Sequence, residues 1–416
     1  MSDSLNPKRV CVAQIGARRH YAVPRALWAA GRLDRLYTDV YAGERWARLL
    51  GAVLPAPLRR GRVRRLLERE IPDVPPERIR TFPGFGLARL AHEGRAGDRG
   101  ARMAYWLERN RAFCARVAAA GFGPADAVYV FNGAGLEVLR AARSTGRRAV
   151  VDQTSAPLAV EEALLEEERA AWPGWEPAVA GAGAWRALAE REEEEWGLAD
   201  RIVCGSAYVA DAVAARRGPS ARCRVVPYGC PRPAAPAPEP KPAGSGALRV
   251  LFVGTLELRK GFPYLVKAAQ RLRGPSIRFR AVGPSRLTPA ADREVAGAMT
   301  CTGPVSRADV VRQYDEADVL AVPSISEGSA NVSYEALARG VPVVATPNAG
   351  TVVRDGEDGL LVPIRSVDGL VDAFERLASD GALLRRLSAQ ALQRARTFGW
   401  GAYVERLAAA IGDGGA

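Results

Sequence analysis

Histidine occurs only at His20 and His92 in 416 residues, and lysine only at Lys8, Lys241, Lys260 and Lys267. So little histidine leaves few groups suited to general acid–base work near neutral pH. The six cysteines, Cys11, Cys114, Cys204, Cys223, Cys230 and Cys301, are scattered without a Cys-x-x-Cys pair. They read as reduced thiols, and a zinc site is not expected. No apolar run reaches 18 residues, so no transmembrane helix is expected. The amino terminus, MSDSLNPKRVCVAQIG, lacks the regions of a signal peptide. A cytoplasmic protein is therefore expected. No zinc finger, RNA-recognition aromatic pattern or basic heptad helix is present, which argues against a nucleic-acid partner.

What is abundant is arginine and alanine, with a formal net charge of +13. That charge has two readings: an anionic partner, or the composition bias of a GC-rich genome. The length suggests two domains of ordinary size. Strand signals fall at 9–16, 127–133, 148–154, 201–206 and 224–229, with helix-like sequence following the first three. The stretch CPRPAAPAPEPKPAGSGA, 230–247, is proline-rich and reads as a semi-extended linker. The rhythm then restarts with strands at 248–256, 276–283, 318–324 and 341–346. Such alternation implies parallel sheets covered on both faces. The expected division is 1–229, a linker at 230–247, 248–397, and a terminal amphipathic helix within 398–416.

Three charged stretches have bland and functional readings. RRGRVRRLLEREI, 59–71, places Arg59, Arg60, Arg62, Arg64, Arg65 and Arg69 among leucines. It suits either an anionic membrane surface or a solvated helix face paired with its own glutamates. EEALLEEERAAW (161–172) and EREEEEW (190–196) read as charged surface helices rather than acid catalysts.

Chemistry concentrates in two loops of the second half. In FVGTLELRKGF, 252–262, a strand ends at Gly254 and a helix starts near Pro263. Ligands of doubly wound sheets sit at such strand ends. Gly254 lets a phosphate approach the backbone, and Arg259 and Lys260 bring cations to a diphosphate; the alternative is a merely solubilising basic loop. In SEGSANVSYEALARG, 326–340, Glu327 stands at a strand end before a helix expected over 330–339. The N–H groups of Gly328, Ser329, Ala330 and Asn331 face the helix entrance, where an anion is favoured. Glu335 projects from the helix and can accept hydrogen bonds from a ribose diol. The alternative is that Glu327 caps the helix and Glu335 lies on the surface.

The ordered set GTLELRKG (254–261), SEGSANVSYEA (326–336), GVPVVAT (340–346) and GEDGLLVP (356–363) resembles the retaining glycosyltransferases of family 4, as do ADRIVCGS (199–206) and VVPYG (225–229). The resemblance implies the GT-B fold: two Rossmann-like domains facing across a cleft, with the C-terminal helix crossing back to the N-terminal domain. It implies that Lys260 and Arg259 bind the donor diphosphate, Glu335 the ribose and Glu327 the transferred sugar, with residues 328–331 donating to phosphate. The sequence departs from the family's pattern at Thr255, where arginine is usual, and at Tyr228, where asparagine is usual. Its first loop, GARRH (16–20), and VDQTS (151–155) also depart.

In the N-terminal half, His20 reads either as a substrate contact facing the cleft or as a loop or helix-cap residue. Gly16, Asn132, Asp152 and Gln153 are candidate sugar or acceptor contacts; for Asn132 the alternative is a turn role. The implied reaction moves a sugar from a nucleotide diphosphate donor to an acceptor hydroxyl with retention, in bacterial glycan or glycolipid synthesis. The departing phosphate takes the acceptor's proton. Neither cofactor nor metal is expected, since cations replace the metal and no Asp-x-Asp cluster stands at a comparable strand end. The alternatives are a nucleotide-sugar epimerase and a non-catalytic sugar-nucleotide-binding protein. The arginine stretch adds peripheral contact with an anionic membrane.

Overall fold

The computed structural model describes residues 8–55, 63, 66–67, 69–71, 73–92, 99–178, 182–229 and 246–412. Arg59, Arg60, Arg62, Arg64 and Arg65, and residues 230–245 of the expected linker, lie outside them.

Two parallel sheets account for the strands. The first holds β1 (Val10–Ala13), β2 (Leu33–Thr38), β3 (Ile79–Thr81), β4 (Ala127–Phe131), β5 (Arg148–Gln153), β6 (Arg201–Cys204) and β7 (Cys223–Val225). The second holds β8 (Leu248–Val253), β9 (Ile277–Val282), β10 (Thr300–Cys301), β11 (Val319–Val322), β12 (Val343–Ala345) and β13 (Gly359–Leu361). Their orders are β3-β2-β1-β4-β5-β6-β7 and β10-β9-β8-β11-β12-β13. Each order reverses at one place, between β1 and β4 and between β8 and β11. Such switch points leave a crevice at the carboxyl ends of the strands.

The central strands are short aliphatic runs with both faces covered. Val10–Ala13, Ala127–Phe131 and Val319–Val322 are buried throughout. The strands missed from sequence are β2, β3, β10 and β13. Strand β2 reads LDRLYT, whose charged residues hide the signal; Asp34 is nevertheless buried beside Arg78.

The two sheets meet at their carboxyl edges. Ser206 Oγ, after β6, donates to the Gly328 carbonyl, after β11, at 2.5 Å. Tyr334 OH accepts from the backbone N–H of Tyr228 at 3.0 Å, and Tyr228 OH donates to the Thr154 carbonyl at 3.3 Å. The terminal helix, Trp400–Ile411, returns to the first sheet. Tyr403, Leu407 and Ile411 join the core of Val10, Val12, Leu27 and Val203.

Two expectations are corrected. The helix Ala182–Leu198, which contains EREEEEW, is not simply a charged surface element: Arg191, Glu192 and Glu195 are buried. Glu195 accepts the N–H groups of Gly133 and Gly135 at 2.6 and 2.8 Å. These donors open the helix Leu136–Ser144 and have no intrahelical partner. Glu192 accepts from Leu158 N at 2.8 Å, at the start of the helix Leu158–Ala171. Burial pushes Glu195 up to about 8 and Glu192 up to about 7, against the pull of these donors.

The helix Leu158–Ala171 is also more than a surface element. It lies against the second sheet's domain, where its Leu165, and Trp175 just beyond its end, enter the core of Leu256, Leu258 and Phe262. Glu168, fully buried, pairs with Arg365 at 2.5 Å. Glu176 accepts from the N–H of Leu258 at 2.7 Å.

Candidate functional site

The loops after β8 and β11 flank the switch point of the second sheet, and the backbone welds them together. The N–H groups of Ile325 and Ser326 donate to the Arg259 carbonyl at 2.9 and 3.3 Å. Gly261 adopts φ 63° and lies so close to the Pro323 carbonyl that any Cβ would overlap it. This close approach requires the glycine that ends GTLELRKG.

The weld brings three expected residues into one cluster. Lys260 Nζ is paired with Glu327 Oε1. Arg259 lies 3.3 Å from Glu327 Oε2, 2.9 Å from Glu257 Oε1 and donates to the Ser326 carbonyl at 3.1 Å. Arg286 holds the other oxygen of Glu257 at 2.9 Å. Three cations, Arg259, Lys260 and Arg286, therefore face the carboxylates of Glu257 and Glu327, with Glu161 near enough to act on Lys260. Burial and the Arg259 guanidinium push the Lys260 ammonium down to about 7, while Glu257 and Glu161 act in the opposite sense. The Glu327 carboxylate in direct contact also favours the charged form.

Glu335 lies on the helix Asn331–Leu337, shorter than the expected 330–339. It is half-buried and accepts from Tyr314 OH at 2.9 Å. Burial raises its carboxyl above the usual range, whereas Tyr314 and Arg307 oppose the shift. Arg307 also lies 3.5 Å from His20 Nε2, so His20 reaches the second sheet's domain across the cleft.

The residues around the helix entrance differ from expectation. The N–H of Ala330 is committed to the Ala349 carbonyl at 3.1 Å, and that of Glu327 to Asn348 at 3.0 Å. Ser329 is buried, its hydroxyl between Tyr334 OH at 2.8 Å and the Gly350 carbonyl at 3.1 Å. Gly328 is pressed against the Thr154 carbonyl. Its missing side chain admits the opposite domain's backbone rather than keeping an open approach. Gly254 remains at the end of β8 with the Lys260 side chain beside it.

In the N-terminal half the expected contacts turn inward. Asp152 is buried and holds Arg19 at 2.6 Å and Tyr129 OH at 2.7 Å. Asn132 donates to Glu192 at 2.8 Å and accepts from the Thr154 hydroxyl at 2.8 Å. Gln153 donates to Glu192 at 2.8 Å and accepts from Trp196 at 2.9 Å. Strand-end polar residues looked like ligand contacts because their partners, Glu192 and Trp196, lie 39 to 60 positions away. The Gly16 N–H is bound to Asp39 at 2.9 Å.

Arg18 and Arg19 were missed. They occupy the turn Arg18–Tyr21 after β1, in which Arg19, His20 and Tyr21 all have positive φ. Such backbone is costly for side-chain-bearing residues and persists only where neighbours over-determine it. Arg19 supplies the restraint: besides Asp152, its guanidinium lies 4.1 Å from the ring of Tyr228 and bonds Tyr403 OH at 3.3 Å. The departure from a glycine-containing first loop was the available signal.

Residues 247–380 match the family model described as Glycosyl transferases group 1. D-inositol 3-phosphate glycosyltransferase of Corynebacterium glutamicum is 35% identical over 179 residues, covering 39% of this chain and 43% of that protein. The protein of the same name from Kribbella flavida is 36% identical over 172 residues, covering 37% and 41%. The chain thus matches less than half the length of these curated relatives. Sucrose-phosphate synthase from Thermosynechococcus elongatus has a TM-score of 0.61 at 20% identity, covering 96% of each chain. Anabaena HepE in complex with UDP and glucose has a TM-score of 0.58 at 16% identity, covering 96% and 98%. The family 4 likeness read from the motifs holds over the second sheet, and the GT-B architecture over nearly the whole chain.

Proposed function

We propose that this chain, of glycosyl transferases group 1 type, transfers a sugar from a nucleotide diphosphate donor to an acceptor hydroxyl with retention of configuration. The observation that carries the reading is the joining of Arg259, Lys260 and Glu327 at one switch point, with Glu335 on the following helix. Residues 248–397 serve as the donor half, 1–229 as the acceptor half and 230–247 as their linker.

In this account Arg259 and Lys260 exchange part of their hold on Glu327 for the donor diphosphate. Glu335 accepts hydrogen bonds from the ribose hydroxyls, and Tyr314 fixes its orientation. As the glycosidic bond breaks, negative charge grows on the diphosphate and positive charge on the sugar ring. The two cations stabilise the first, and Glu327, partly released, faces the second. The departing phosphate oxygen takes the acceptor's proton. His20 contributes from the acceptor side. Contact between the domains at Gly328 excludes water and suppresses hydrolysis. The epimerase alternative is weakened because His92, the other histidine, is exposed and stacked on Tyr105.

Anionic membrane is a second partner in this reading, with the protein peripheral on the inner face of the cell membrane. Leu49 and Val53 of the helix Arg45–Val53 are exposed at 66% and 79%, just before the arginine-rich stretch. Among the described residues no helix is long and apolar enough to cross a membrane. Binding to anionic liposomes at low salt, lost at high salt, is the expected result; no binding at low salt removes this part.

The function is tested by a thermal-shift panel of nucleotide sugars, UDP-glucose included, because a donor that binds only the folded chain raises Tm. At least one nucleotide sugar should stabilise the wild type and fail to stabilise Glu335→Ala. No stabilisation by any member would contradict the reading.

A further inference from the structure

The switch point of the first sheet carries a cation that the donor chemistry does not use. Arg18 stands in the turn after β1, with its guanidinium 5.3 Å from the ring of Phe131 at the end of β4. It therefore spans the crevice between the strands where the order reverses, a position that binds ligands in doubly wound sheets. Arg18 is half-buried. Among the described residues its guanidinium makes no hydrogen bond and no ion pair.

The nearby carboxylates are already committed. Asp152 is held by Arg19 and Tyr129, and Glu195 by the N–H groups of Gly133 and Gly135. Both act on Arg18 through the field, but neither forms an ion pair with it. Burial is the largest influence on its charge and works against it. A partly desolvated guanidinium with unfilled donors is costly to maintain. The loop nevertheless fixes it there: Gln14 Nε2 donates to the carbonyls of Gly16 and Arg18 at 2.9 and 3.3 Å. The left-handed residues Arg19, His20 and Tyr21 follow directly.

We infer that Arg18 is a specificity-determining residue that binds an anionic group, a phosphate or a carboxylate, on the acceptor. The planar fork of a guanidinium matches such groups with two parallel hydrogen bonds. Placing the anion on the acceptor rests on the glycosyl-transfer reading, in which Arg259 and Lys260 take the donor diphosphate on the opposite sheet. Binding of an anion at Arg18 does not depend on that reading.

The test is calorimetric titration of inorganic phosphate into the full chain, with and without saturating UDP, for wild type, Arg18→Gln, Arg18→Lys and Arg259→Gln. Acetate titrated in parallel separates carboxylate from phosphate preference. Arg18→Gln is expected to weaken phosphate or acetate binding by about 10- to 100-fold, the range of a charge-assisted bidentate contact, with UDP affinity unchanged. Arg18→Lys should keep part of the affinity, because the charge remains and the fork is lost. Arg259→Gln should do the reverse, weakening UDP and sparing the second site. Wild-type anion affinity in an Arg18→Gln chain that unfolds at the wild-type temperature would overturn the proposal. So would equal weakening of UDP, which would assign Arg18 to the donor. A chain that binds phosphate through Arg18 but none of the nucleotide sugars of the panel would instead remove the donor reading and leave this site standing.

Discussion

Gly328 lies against the backbone carbonyl of Thr154, so close that a Cβ on Gly328 would overlap the oxygen. One residue follows β11 of the second sheet and the other follows β5 of the first. Their contact joins the two domains. Gly328→Ala should hold the domains apart and lower transfer by about 100-fold, since a misplacement of about 1 Å costs that much. Nucleotide affinity, which in the proposed function rests on Lys260, Arg259 and Glu335, should fall much less. Steady-state rates beside nucleotide titrations check this; an unchanged rate would show that closure does not need this contact.

If Lys260 binds the donor as proposed, donor affinity depends on pH. Burial and Arg259 place its ammonium at about 7 in the ligand-free chain. A bound diphosphate favours the charged form, so binding takes up a proton above that pH. Affinity should therefore fall as pH rises through about 7, by up to about tenfold per unit. Lys260→Arg, charged throughout, should flatten the profile. UDP titrations at pH 6, 7 and 8 provide the measurement.

Glu195 is an internal helix cap. Its two oxygens accept the N–H groups of Gly133 and Gly135. Glu195→Gln replaces one acceptor by an NH2 that meets an N–H donor. The expected loss is about 1–3 kcal/mol of stability, the cost of an unsatisfied buried donor. Denaturant unfolding at pH 9, where the carboxyl held up at about 8 is ionised and both oxygens accept, reads it directly.

Arg365→Ala should detach the strap formed by the helix Leu158–Ala171. Glu168 would be left buried without its cation. Arg365 itself is 32% exposed, so the pair is partly screened and the expected loss is modest, about 1–3 kcal/mol. Glu168→Gln in the same background should recover part of it, and a double-mutant cycle measures the coupling.

Legibility in the sequence followed locality. Strands such as Val319–Val322 are uniform aliphatic runs, and their type needed no partner to be read. The loops after β8 and β11 were readable because Gly261, Arg259, Lys260 and Glu327 lie within short segments of regular spacing. The interior network was not: Asn132 and Gln153 take their meaning from Glu192, 60 and 39 positions away. A run of four glutamates looks solvated until a buried helix start needs an acceptor. Arg18 was equally hidden, because its significance is that, among the described residues, its guanidinium has no ion pair or hydrogen bond and lies over the ring of Phe131.

The most direct measurement is release of nucleoside diphosphate and formation of glycosylated product from a stabilising nucleotide sugar and acceptor. It is made for wild type, Lys260→Ala and Glu327→Ala, with the product's anomeric configuration read by NMR. Turnover with the donor's configuration retained is expected, with a loss of at least about 100-fold in each variant, the scale of removing one transition-state contact. Inversion at the anomeric carbon, or variants as fast as the wild type, would contradict the proposed transfer.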